Sequence, residues 1–261
     1  MNRITTLFQE KTANIVSIYF TAGYPNLHDT RTIIKNLAAA GADIIEIGIP
    51  FSDPLADGPT IQASSQKALD NGMRLSLLFE QLAGIREEVG IPLLLMGYLN
   101  PVYQYGMTKF CEKCAEIGID GLILPDLPLY EYESMYRDLF KQHNLHNVFL
   151  ITPQTSEARI KKIMALSEGF IYMVSSASTT GAKQAIKTEQ QAYFARIQAM
   201  DLDKPRLIGF GISNNETYKA ACKYANGVII GSAFIKALSQ GGVGASNISG
   251  FVNGIKQTKK M

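Results

Sequence analysis

Short apolar runs rich in β-branched residues recur along the chain at 15–21, 43–49, 92–98, 121–124, 147–152, 169–175, 206–210 and 227–230. Their length and composition predict buried strands. Between them lie segments of helical spacing. Residues 30–40 place Ile33, Ile34, Leu37 and Ala38 on one face, and residues 75–89 do the same with Leu78, Leu82, Ile85 and Val89. Gly41, Gly90 and Gly118 each stand where a helix stops before the next strand, the expected place for a left-handed cap. Eight strands separated by helices predict parallel pairing with right-handed crossovers, and eight is the number that closes an α/β (β/α)8 TIM barrel. An open doubly wound sheet is the alternative. The first strand is not followed by G-x-G-x-x-G, which counts against a dinucleotide-binding version of it. With no linker and no low-complexity segment, residues 1–261 read as a single barrel domain. The long spacer 50–91 holds an acidic loop and two helical stretches.

Composition narrows the function classes. The chain has 261 residues, 46% hydrophobic and 18% charged, with a net charge of +2, too small to argue for nucleic acid. The basic cluster Lys256 to Lys260 reads as a solvated tail. The polar, mixed-charge stretch 1–14 does not look like a signal peptide. No apolar run approaches the roughly 20 residues that span a bilayer, so a cytoplasmic protein is expected. Cys111 and Cys114 form a C-x-x-C inside an amphipathic helix, 108–117. Neither Cys222 nor His28, His143 and His146 supply a second metal-ligand pair, so buried packing thiols are expected and no metal site.

Candidate chemistry concentrates after the second strand. Glu46 sits near the end of the apolar run 43–49, and a loop punctuated by Pro50, Pro54, Gly58 and Pro59 then carries Asp53 and Asp57. A buried glutamate needs a reason. A salt-bridged core residue is one; an acid at the catalytic, carboxyl end of a barrel strand is the other. The loops after the strands gather Glu46, Asp57, Asn100, Asp126 and Thr180 on one rim. Ile208-Gly209-Phe210-Gly211-Ile212-Ser213 and Ile230-Gly231-Ser232 follow the last two strands. Glycine-bearing loops there, the second opening a helix, suit a phosphate dianion. A small, polar loop, 175–183, follows the sixth strand and is long enough to be a lid, although a merely flexible connection has the same composition. Disorder is expected over 177–190.

The run from Glu46 through Pro50-Phe-Ser-Asp-Pro-Leu-Ala-Asp57-Gly-Pro to Gln62 closely resembles the signature of the tryptophan synthase α subunit. The likeness extends to Phe20-Thr-Ala-Gly-Tyr-Pro25, Met96-Gly-Tyr-Leu-Asn-Pro101, Gly121-Leu-Ile-Leu-Pro-Asp126, Gly209-Phe-Gly-Ile-Ser213 and Gly231-Ser232, covering essentially the whole chain. The resemblance implies retro-aldol cleavage of indole-3-glycerol phosphate to indole and glyceraldehyde 3-phosphate, without a cofactor of its own. It implies Glu46 as general acid/base at indole C3 and the glycerol hydroxyl, Asp57 at the indole N–H, and Thr180 as a lid residue bonded to that aspartate. By the same match Tyr19 lies against the indole, Tyr172 near the catalytic glutamate (or simply in the core), and Gly181, Phe210, Gly211, Gly231 and Ser232 around the phosphate. Burial should raise the Glu46 pKa, while a wetter Asp57 stays ionised. Ser176 and Ser178 depart from the Arg and Gly of many family lids.

The resemblance also implies a pyridoxal-phosphate β subunit as partner, in an α2β2 complex that passes indole internally; the pyridoxal phosphate belongs to that partner. Loops 50–59, 100–106 and 126–132 are the candidate contacts, with Tyr103, Tyr105, Tyr130 and Tyr132 read as exposed or as ordinary loop aromatics. A stand-alone lyase that releases indole, and a protein that only activates the β subunit, are the rivals. A different phosphosugar isomerase barrel lacks its expected base set here.

Overall fold

The computed structural model describes residues 1–175, 188–209 and 211–257. Among the described residues nine parallel strands form one sheet: β1 (Ile15–Thr21), β2 (Ile44–Gly48), β3 (Leu93–Met96), β4 (Gly121–Ile123), β5 (His146–Asn147), β6 (Phe149–Ile151), β7 (Ile171–Val174), β8 (Arg206–Gly209) and β9 (Gly227–Ile230). Their order is β5-β4-β3-β2-β1-β9-β8-β7-β6. The two edge strands are consecutive in the chain and separated only by Val148, so the sheet closes on itself as a (β/α)8 barrel. The expected fifth strand is thus split where it changes partner. Val148 N donates to Leu122 O of β4 (2.9 Å), and one residue later Phe149 pairs with Ile171 of β7.

Alternation along each strand makes two cores. Ile15, Ile44, Leu94, Ile123, Val148, Phe170, Leu207 and Ile229 fill the barrel interior. Val16, Ile18 and Phe20 point the other way, to the shell of helices. The helix Arg3–Glu10 plugs the amino-terminal end. Asn2 caps it, accepting from Ile4 N, and the same amide donates to Asp120 O and Asn144 O, both at 2.8 Å. Ile4 is fully buried in the interior core, and Phe8 lies 5.8 Å from Phe170.

That end is sealed by ion pairs. Asp120, 2% exposed, accepts from Arg3 (3.0 Å), from Leu93 N (2.9 Å) and from Arg86. Asp43 accepts from Lys11 (2.6 Å), Lys256 (3.1 Å) and Val16 N (2.8 Å). Lys256 is therefore tied down; residues 258–261 of the tail lie outside the described residues.

Three helical expectations are corrected. The helix starting at Leu75 stops at Leu82, and a 3-10 turn follows at Ile85–Glu87. Gly84 takes a left-handed conformation (φ 70°), while Arg31 caps the freed carbonyls of Gln81 (3.4 Å) and Ala83 (2.7 Å). Gly84, rather than Gly90, is the left-handed glycine there, whereas Gly41 and Gly118 behave as expected. Thr188, Glu189 and Gln190, expected to be disordered, begin the helix Thr188–Ala199, and Gln190 is buried against Ser175 (3.1 Å). Residues 176–187 lie outside the described residues. Cys111 and Cys114 are buried in the helix Met107–Ile117, as packing thiols should be.

Candidate active site

Glu46 lies in β2 between Tyr19 of β1 and Leu94 of β3. It is fully buried. No cation pairs with it among the described residues. Its Oε1 accepts a 2.7 Å hydrogen bond from the Ser17 hydroxyl, and its Oε2 makes no hydrogen bond among the described residues. Burial disfavours the carboxylate and pushes the pKa up to about 7, against the opposing pull of Ser17. The alternative of a salt-bridged core glutamate is thereby removed. The group is placed to hold or release a proton near neutrality.

Asp57 is half-buried in the loop that follows β2. The prolines end the strand, and hydrogen bonds fold the loop back on itself. Asp57 N donates to Pro54 O (3.0 Å), and Gln62 Nε2 donates to Asp57 O (2.9 Å). The Tyr98 hydroxyl accepts from Ala56 N (3.0 Å) and donates to Asp57 Oδ2 (3.3 Å). Desolvation raises the Asp57 pKa to about 6, and the Tyr98 bond opposes it. The two acids therefore titrate closer together than a wet Asp57 predicts, although Asp57 remains mostly ionised at pH 7.

Tyr19 and Tyr172 occupy matching places. A Cβ on Gly48 would sit 2.2 Å from the Tyr19 hydroxyl oxygen, and one on Gly209 would sit 2.4 Å from that of Tyr172. Each ring thus crosses a glycine at the end of the next strand, and neither glycine tolerates a side chain. Burial raises both phenol pKa values, and negative charge on Asp57 and Glu46 adds to the effect on each. Glu46, Asp57, Tyr19 and Tyr172 therefore share one electrostatic site.

A cleft enclosing about 520 Å³, open solvent at its mouth included, has Tyr19, Asp57 and Tyr98 in its walls. Ile49, Phe51, Met96, Pro125 and Leu150 supply apolar surface suited to a flat ring. Glu46 is not itself a wall residue; its register partner Tyr19 is. Across the rim, Gly211 is in the left-handed region (φ 84°), and Gly231 precedes the ten-residue helix Ser232–Gly241. A Cβ on Gly231 would come within 3.3 Å of the Tyr19 ring, so the phosphate-type loop reaches the same site. Thr180, Gly181 and Phe210, with Ser176 and Ser178, lie outside the described residues. Asp126 serves a different purpose: its carboxylate accepts from Leu99 N (2.9 and 3.1 Å) and starts the helix Leu99–Tyr105, on which Asn100 is exposed.

The family described as "Tryptophan synthase alpha chain" matches residues 4–259. The chain belongs to it. A tryptophan synthase alpha chain from Flavobacterium johnsoniae is 59% identical over 256 residues, covering 98% of this chain and all of the relative. One from Christiangramia forsetii is 57% identical, covering 98% of this chain and 99% of the relative. The crystal structure of tryptophan synthase subunit alpha from Legionella pneumophila superposes with a TM-score of 0.86 at 31% identity, covering 98% of each chain. The reaction is the carbon–carbon lyase one, cleavage of indole-3-glycerol phosphate to indole and glyceraldehyde 3-phosphate. Membership in the tryptophan synthase α family also implies a β-subunit partnership.

Two polar residues of the site were not predicted from sequence. Tyr98 lay inside a recognised motif, but its hydroxyl contact with Asp57 depends on how the loop folds. Ser17 carried a readable signal: with Tyr19 and Thr21 it is one of three hydroxyl residues at alternate positions of β1, hence on one face. Among the tyrosines read as exposed, Tyr103 and Tyr130 are, at 44% and 74%. Tyr105 is half-buried against Phe79, and Tyr132 is fully buried between Phe140 and Phe149.

Proposed function

We propose that Glu46 and Asp57 divide the proton and charge work of the cleavage, with no cofactor in this chain. Protonated Glu46 delivers its proton from Oε2 to indole C3. The electrons come from the C2–C3 double bond and leave a positive charge at the ring nitrogen. Ionised Asp57 accepts the ring N–H and stabilises that charge. Glu46, now a carboxylate, takes the proton of the glycerol hydroxyl. The carbonyl forms, the bond from C3 breaks, and its electrons restore the indole. Atoms, protons and charge balance without a co-reactant, and Glu46 ends as it began.

The observation that carries this reading is the state of Glu46: fully buried, one oxygen held, the other without a hydrogen bond among the described residues, with a pKa near 7. Tyr19 and the apolar walls take the indole. Gly211, Gly231 and Ser232 take the phosphate at the amino terminus of a helix. Indole release by Glu46→Gln and Asp57→Asn tests the assignment, since turnover that survives in both variants contradicts it.

We further propose an α2β2 assembly in the cytoplasm, with this chain as one barrel domain and any pyridoxal phosphate in the β subunit. Exposed Leu55, Tyr103, Tyr130 and Met135 follow β2, β3 and β4, which are neighbours in the sheet, and give the active rim an apolar contact surface. No helix among the described residues is long and apolar enough to cross a membrane. Size-exclusion chromatography with the β subunit checks the stoichiometry.

A further inference from the structure

Glu46 has two oxygens with different surroundings. Oε1 is fixed by a 2.7 Å hydrogen bond from Ser17 Oγ, in a pair where both residues are fully buried. Oε2 is buried and makes no hydrogen bond among the described residues. Ser17 lies on the same face of β1 as Tyr19, whose backbone is in register with Glu46. The next residue of β2, Ile47, faces the outer core, and Leu94 flanks Glu46 from β3. Among the hydrogen bonds of the described residues, that of Ser17 is the one that selects a rotamer for the carboxyl group.

We infer that Ser17 is a positioning residue for the cleavage: its hydroxyl holds Oε1 of Glu46, sets the plane of the carboxyl group, and leaves Oε2 as the oxygen that exchanges protons with substrate. The inference rests on the acid/base assignment of Glu46 made above. It also has a chemical consequence. The bond can be donated to either protonation state but is stronger to the carboxylate, so Ser17 opposes the effect of burial and keeps Glu46 able to release its proton. Other titratable groups facing Glu46 among the described residues are Tyr19 on β1 and Tyr172 on β7. Burial holds both phenols neutral, and Asp57 acts on each of them from the loop.

The test reads Glu46 directly and through turnover. In protein labelled with ¹³C at the glutamate carboxyl carbons, the Glu46 resonance is assigned by its loss in Glu46→Gln and titrated in wild type and in Ser17→Ala. Losing a hydrogen bond to a charged group should raise the Glu46 pKa by about one to two pH units. The alkaline limb of kcat should move up with it. At pH 7 kcat should fall about tenfold while KM stays within about threefold, because the bond orients the acid rather than binding substrate. Should alanine loosen the strand, the isosteric pair Ser17→Thr and Ser17→Val keeps the comparison, since only threonine retains the hydroxyl and should titrate like wild type. An unchanged Glu46 titration and undiminished kcat in Ser17→Ala or Ser17→Val overturns the positioning role. Full turnover in Glu46→Gln instead overturns the acid/base assignment, and the carboxyl titration still reports whether Ser17 governs Glu46.

Discussion

Glu46 and Asp120 are both carboxylates buried in the same barrel, at 0% and 2% exposure, and they are treated in opposite ways. Asp120, at the amino-terminal end, is saturated: two arginines and a backbone N–H converge on it. Glu46, midway along β2 and below the rim that carries Asp57, has one neutral donor and an oxygen without a hydrogen-bond partner among the described residues. A buried charge without its partners is expensive, so the amino-terminal end uses its acid to lock helix Arg3–Glu10 and the segment around Arg86 together. The other end leaves its acid poorly stabilised as an anion, which is the condition for proton exchange near neutrality. One end of the barrel is built for stability and the other for reaction.

The contrast is sharpest when each acid is removed. Glu46→Gln should lower kcat by about 10²–10⁴-fold, the usual worth of a general acid/base, without loss of folding; indole release and thermal unfolding check the two halves. Asp120→Ala should do the reverse, costing about 3–5 kcal/mol of stability because Arg3 and Arg86 are left without their partner. Chemical denaturation measures that, and kcat below the unfolding transition should stay near wild type. An Asp120→Ala protein that unfolds like wild type would contradict the stabilising role of Asp120.

The pH dependence of stability sharpens it further. The folded pKa of Glu46, about 7, lies above its ordinary value of 4.5. Below pH 4.5 the group is protonated in both states and makes no difference. As pH rises through 4.5 to 7 the unfolded chain ionises first, so Glu46 progressively destabilises the fold, by about 3 kcal/mol above pH 7. Glu46→Gln should therefore gain on wild type across that window, as denaturation midpoints at several pH values will show. The smallest effect is expected at Tyr98. Tyr98→Phe removes the donor that opposes the rise in the Asp57 pKa. The acid limb of kcat/KM should shift upward by under about one pH unit, with a several-fold loss of activity at pH 6.

Much of this was legible in the chain because it depends on local pattern. The apolar runs and the glycines at 41 and 118 specify the strands and their caps without help from distant residues. Glu46 stood out because an acid in a β-branched run is costly under any fold. What the sequence did not disclose depends on partners far away in the chain. The break at Val148 follows from barrel closure, where two different neighbours compete for one strand. Tyr132 has the composition of a loop aromatic, yet it is buried because Phe140 and Phe149 fold over it. The Ser17 bond needs β1 and β2 in register, and the loss of helix at Gly84 needs Arg31 to receive the freed carbonyls. Thr188 to Gln190 follow a loop-like sequence, and Gln190 is held by Ser175.

In the proposed reaction a buried acid, Glu46, with one oxygen left without a hydrogen bond among the described residues, performs the proton transfers. Indole release from indole-3-glycerol phosphate by wild type and Glu46→Gln, followed from pH 5 to 9 with the β subunit present, tests it most directly. The wild-type rate should decline above a pKa near 7, and the variant should be at least about a hundredfold slower at every pH. A variant that keeps more than a tenth of wild-type turnover, with the same alkaline decline, would contradict it.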